Sequence, residues 1–91
     1  MAKAKVLRDH IDEIGMGIWL AEEVGREQYS HLSEEEFFGA FAQGFIEDVE
    51  EIISLFNELK RVGRLSSMEK LRLHNWRKWK RELKTLQAKY A

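Results

Sequence analysis

The sequence predicts an all-α fold: a three-helix domain in which the second and third helices form a long antiparallel hairpin and the first packs beside it. Three observations carry this reading. Apolar residues recur at helical rather than alternating spacing along most of the 91-residue chain. Two Ser-x-x-Glu capping boxes, at Ser33 and Ser66, mark helix starts. There is no proline, so nothing obliges a long helix to break.

The first helix is expected over about residues 4–25. Leu7, Ile11, Ile14, Ile18 and Ala21 fall on one stripe, and Gly25 is a candidate end. Gly15 and Gly17 weaken the pattern, because glycine in a helix interior costs about 1 kcal/mol relative to alanine. Met16, Trp19 and Leu20 project away from the main stripe. A helix apolar on two sides is either sandwiched or offers a docking patch.

The second helix is expected over about residues 34–62. Ser33 caps it, Glu36 answers as the reciprocal partner, and Leu32 and Phe37 stand at the positions of a hydrophobic staple. Glu34, Glu35 and Glu36 suit the positive end of the helix dipole, while Lys60 and Arg61 suit the negative end. Gly63 is a natural left-handed stop. The apolar arc, including Phe38, Ile46 and Ile53, covers about half the circumference, more than one neighbouring helix needs. Gly39, Ala40, Ala42 and Gly44 permit a close helix approach or a bend. Asp48 lies within the arc. It either reaches solvent at the edge or pairs with a base, Arg72 being a candidate, or with His10.

The third helix is expected over about residues 67–88, capped by Ser66 with Glu69. A connection of about three residues, Gly63 to Leu65, makes it antiparallel to the second. Its packing seam reads Met68, Trp76, Trp79, Leu83, Leu86 and Tyr90, with Arg72 on the same line. Lys70, Arg77, Lys80, Arg81 and Lys84 gather on the other side. The run Trp76-Arg77-Lys78-Trp79-Lys80-Arg81 looks like a nucleic-acid or membrane-surface motif. Helical geometry splits it, sending the rings inward and the charges outward.

A chain of this length has room for one domain, read here as residues 1–91, and for one modest core. The net charge of −1 hides an asymmetry. Residues 1–58 hold 14 acids against 4 bases, a formal −10, and residues 59–91 hold 2 acids against 11 bases, a formal +9. Such a split either neutralises itself in the fold or presents two opposite surfaces.

Several chemistries find no support. Without cysteine there is no disulfide, thiol nucleophile or thiolate metal site. Ser33 and Ser66 are explained as caps, and no other serine has a base alongside. His10, His31 and His74 form no repeated Glu-x-x-His arrangement, so no metal or other cofactor is expected. No apolar run approaches the ~20 residues of a membrane span. Asp9, Asp12 and Glu13 interrupt what would be a signal-peptide core, which leaves a cytoplasmic protein as the expectation.

The expected function is a non-enzymatic protein–protein interaction module, a regulator, inhibitor or assembly subunit. Met16, Trp19, Leu20, Phe38, Ile46 and Ile53 are its candidate contacts. The partner is either a second copy, completing a larger bundle by homodimerisation, or another protein. The alternative is nucleic-acid binding through Lys70, Arg77, Lys80, Arg81 and Lys84.

Overall fold

The computed structural model describes residues 2–90, so positions 1 and 91 of the expected domain lie outside the described residues. It contains four helices: α1 (Ala2–Gln28), α2 (Glu34–Ala40), α3 (Ala42–Val62) and α4 (Ser67–Tyr90). All described elements are helical, and the molecule is elongated, 46 × 22 × 19 Å.

The expected three-helix arrangement is corrected by a break at Phe41. This residue adopts φ −107° and ψ 16°, outside the helical basin. The hydrogen bonds on either side continue, from Phe41 N–H to Phe37 O at 3.1 Å and from Phe45 N–H to Phe41 O at a stretched 3.5 Å. Gly39 and Gly44 flank the break and lower its cost, since glycine adds little to helix stability. Packing supplies the return. The bend turns Phe37 and Phe38 inward against Phe45, with ring centroids 6.1 and 5.6 Å from it. A straight helix would carry α2 away from α4. Instead Gly39 lies against the Tyr90 ring, so close that a Cβ there would stand 2.6 Å from it.

Helix α3 is the axis of the molecule. Val49, Ile52, Phe56 and Leu59 are fully buried along it. On one side α1 runs antiparallel to it, with Lys3 paired to Glu58 and His10 to Glu51. On the other, α4 runs antiparallel as expected, with Arg77 bonded to Asn57 and Gln87 to Gln43. The arc that looked too wide for one neighbour is therefore covered by α1 and α4 of the same chain. Phe38 and Ile46 are buried and Ile53 is half-buried, so the first two are core residues rather than open partner contacts.

Both capping boxes are present. Ser33 Oγ accepts from Glu36 N–H and Glu36 accepts from Ser33 N–H; Ser66 and Glu69 repeat the pattern at α4. Gly63 ends α3, but in an extended rather than left-handed conformation, φ −156° and ψ −153°. The chain has only a few residues in which to reverse, and the extended form delivers Leu65 into the core. Gly25 does not end α1. The helix continues to Gln28, and the missing side chain makes room for Phe37, whose ring edge would lie 2.6 Å from a Cβ at that position.

The α4 seam differs from expectation at its start. Met68 is 66% exposed, and the packing face runs instead from Glu69 through Leu73, Trp76, Trp79, Leu83, Leu86 and Tyr90, with Lys80 and Gln87 half-buried at its edge. Arg8 accounts for the shift. Its guanidinium reaches across from α1 to Glu69, Nε to Oε2 at 2.8 Å, and bonds the Arg64 carbonyl at 3.3 Å. That bond and the capping contact turn Glu69 toward α1 and leave Met68 outside. The Glu69 carboxyl falls from its ordinary 4.5 to about 2, chiefly through the Arg8 hydrogen bond, against the opposing effect of burial.

Candidate interaction site

Helices α1 and α4 flank α3 and run parallel to each other, meeting through side chains: Arg8 with Glu69, Asp12 with Arg72, and Gly15 beneath Trp76. Between them lies an open groove. Its first half, about 530 Å³, is lined by Asp12, Gly15, Met16, Trp19, Arg72 and Trp76. Its second half, about 410 Å³, shares Gly15, Trp19 and Trp76 and adds Ile18, Glu22 and Trp79. All three tryptophans of the chain thus line one groove. Gly15 forms an open part of its wall, since the nearest atom to a Cβ there would be Trp76 Cζ2 at 4.0 Å.

The tryptophans are not equivalent. Trp79 is half-buried, packed against Phe38 and Phe45 at centroid distances of 5.9 and 5.7 Å, and Trp76 meets it at 5.9 Å with the rings tilted by 55°. Both therefore pack inward as the helical spacing predicts, showing one edge to the groove. Trp19 is 52% exposed on the opposite wall. Around it Met16 (56%), Leu20 (49%) and Val24 (51%) continue the apolar surface over the outer face of α1. The patch read from the sequence as Met16, Trp19 and Leu20 is thus open, and it merges with a groove that sequence reasoning missed. Val24 completes an i, i+4, i+8 line with Met16 and Leu20, a spacing that was available in the sequence.

Acids border this surface. Glu13, Glu23 and Glu27 are exposed on α1 beside it. Glu22 is half-buried at the groove end, and burial pushes its carboxyl above the ordinary range against the pull of nearby Arg26. Arg26 itself leans 4.0 Å from Glu34, and Arg72 is held 3.4 Å from Asp12 rather than by Asp48. Asp48 is exposed, and His10 pairs with Glu51 at 3.6 Å.

A second groove, about 410 Å³, opens where α1 ends and the Phe41 break begins. Ala21, Gly25 and Gly44 line it beside Tyr29 and Phe41, whose rings lie 4.8 Å apart. Ala21, expected on the buried stripe of α1, is exposed there.

The five basic residues singled out on α4 do not behave alike. Lys80 lies on the seam and pairs with Glu50 at 3.1 Å. Arg77 bonds Asn57 Oδ1 at 3.3 Å, while Lys70, Arg81 and Lys84 point to solvent without an ion pair among the described residues. No group of three or more metal-ligating side chains occurs among the described residues, and no helix is long and apolar enough to cross a membrane. Comparison with protein-family models, curated proteins and solved structures gives no match for this chain.

Proposed function

We propose that this chain is a small non-enzymatic protein-interaction module that receives an amphipathic helix of a partner protein between α1 and α4. The observation that carries the reading is the continuity of Met16, Trp19, Leu20 and Val24 with the three-tryptophan groove. Helix-in-groove binding uses apolar anchors at this spacing, and tryptophan is favoured at the centre of such contacts. The rim supports a cationic partner: Glu13, Glu23 and Glu27 stand beside the apolar line, and the nearest bases, Arg26 and Arg72, are engaged with carboxylates. Two copies meeting through α1 would oppose these acids to one another, which disfavours a second copy as the occupant.

The test is titration with a synthetic amphipathic helix carrying leucines on one face and lysines on its flanks, followed by tryptophan fluorescence and light scattering. The expected result is a one-to-one complex, lost in Trp19→Ala and Leu20→Asp, with the free protein monomeric at all concentrations. A mass that doubles with concentration and returns to monomer in Leu20→Asp would identify a second copy instead. A monomer that leaves the peptide free would refute the reading.

A further inference from the structure

The charge asymmetry of the sequence resolves into a more specific pattern in space. Every lysine and arginine before residue 60 is ion-paired: Lys3 with Glu58, Lys5 with Asp9, Arg8 with Glu69 and Arg26 with Glu34. Of the later ones, Arg61, Arg72, Lys80 and Lys89 are paired. Those left without a carboxylate, among the described residues, all lie between Lys60 and Lys84. Four of them, Lys60, Arg64, Lys70 and Arg77, surround one pocket of about 370 Å³ at the α3–α4 turn, together with His74. The remaining lining is Gly63, Leu65 and Leu73, so no acid enters it.

Stabilisation of the α3 dipole explains one or two cations near its last turn. It does not explain four side chains converging from the helix end, the turn and α4. Like charges held together without counter-charges repel one another, and an anion placed among them removes the repulsion. The pattern continues beyond the pocket. Arg77, Arg81 and Lys84 follow at steps of four and three residues along one side of α4, about 6 and 4.5 Å of helix rise. An isolated phosphate would engage the pocket and leave Arg81 and Lys84 idle. A chain of phosphates would use the whole line.

The geometry points to a binding site for the phosphate backbone of a nucleic acid, with one phosphate in the Lys60–Arg64–Lys70–Arg77 pocket and its neighbours along Arg81 and Lys84. Recognition is by charge and not by base: the indoles of this helix, Trp76 and Trp79, face the groove on the other side. The site is separate from the apolar surface of α1, so it adds a second ligand to the module.

Fluorescence anisotropy with labelled DNA and RNA duplexes of about 20 base pairs, measured from about 50 to 200 mM salt, tests it. The expected result is binding that weakens steeply with salt. Arg64→Glu/Lys70→Glu should reduce affinity at least about tenfold and lower the salt slope by about 2, and Arg81→Glu/Lys84→Glu should act in the same direction. Arg26→Glu/Gln28→Glu/Ser30→Glu, which lowers net charge by the same four units but at and just beyond the far end of α1, should cost less than about twofold. Arg64→Ala/Lys70→Ala, with the helical circular dichroism unchanged, separates loss of binding from loss of fold. Binding to neither duplex overturns the proposal, as does an equal loss in the Arg26→Glu/Gln28→Glu/Ser30→Glu control. Pyrophosphate that binds the pocket, with duplex affinity insensitive to Arg81→Glu/Lys84→Glu, would replace the backbone by a small free phosphate compound.

Discussion

Helices α1 and α4 occupy equivalent places, parallel to each other on two sides of α3, yet their outward faces differ in kind. α1 turns out large apolar side chains bordered by acids, and its few bases are tied up in ion pairs. α4 packs Trp79 against α2 and α3 and turns out Lys70, Lys78, Arg81 and Lys84, none of which is ion-paired among the described residues. The cause lies in the inward faces. α1 presents small and aliphatic residues to α3, namely Ala4, Ile11 and Ile18, so its one large ring, Trp19, is left outside. α4 spends its large rings filling the space opened by the Phe41 bend. The lesson is that the surface of a small bundle is partly what the core had no room for.

The comparison breaks completely if the axis shared by both helices is removed. Phe56→Ala, at a position 1% exposed, should cost about 3–5 kcal/mol and lower Tm by more than about 12 °C, abolishing both surfaces together. Thermal unfolding followed by circular dichroism reads this directly.

A smaller change acts at one end only. Gly39→Ala sets a Cβ 2.6–2.9 Å from the Tyr90 ring and its own Cβ, which must shift α2 away from the end of α4 and should cost about 1–3 kcal/mol. Gly17→Ala is its counterpart on the outer side of α1, with nothing within 4 Å, and should stabilise by about 0.5–1 kcal/mol. Opposite signs for the same substitution would distinguish a glycine held by packing from one that is merely helical.

The link between α1 and α4 is sensitive to pH. Because folding lowers the Glu69 carboxyl from 4.5 to about 2, its stabilisation is complete above the unfolded value and is lost as pH falls from there toward 2. Tm of the wild type should therefore fall across this window more steeply than that of Glu69→Gln, with both curves parallel at neutral pH. Identical slopes would show that Arg8 does not hold the carboxylate. The smallest effects on stability are expected at the two faces themselves: Leu20→Asp and Lys70→Glu should each change it by less than about 0.5 kcal/mol, while the first abolishes binding of the proposed helix and the second weakens binding of the proposed phosphate backbone.

Much of the framework is legible in the residues. Ser33 with Glu36, and Ser66 with Glu69, announce two helix starts because a capping box is a local device, complete within four residues. The Met16, Trp19 and Leu20 patch is legible for a similar reason: it departs from a stripe whose period is set by one helix. The groove beside it is not, because it needs the distance between two helices 60 residues apart in sequence. The basic pocket is half legible, since Lys70 and Arg77 share a face of α4. Lys60 and Arg64 join them only when the turn has closed.

By itself the sequence determined that the chain is helical, where α2 and α4 begin, where α3 ends, and that α3 and α4 form an antiparallel hairpin. These follow from hydrogen bonds and periodicities that act over a few residues. Tertiary structure alone decided the break at Phe41, the turning of Met68 outward and Glu69 inward, and which cations lack a partner. Each of these is a competition among distant groups: the packing of Phe37 and Phe38 against a straight helix, and the Arg8–Glu69 bond against burial of Met68. Local propensity is too weak to settle such contests, and only the folded chain brings the competitors together.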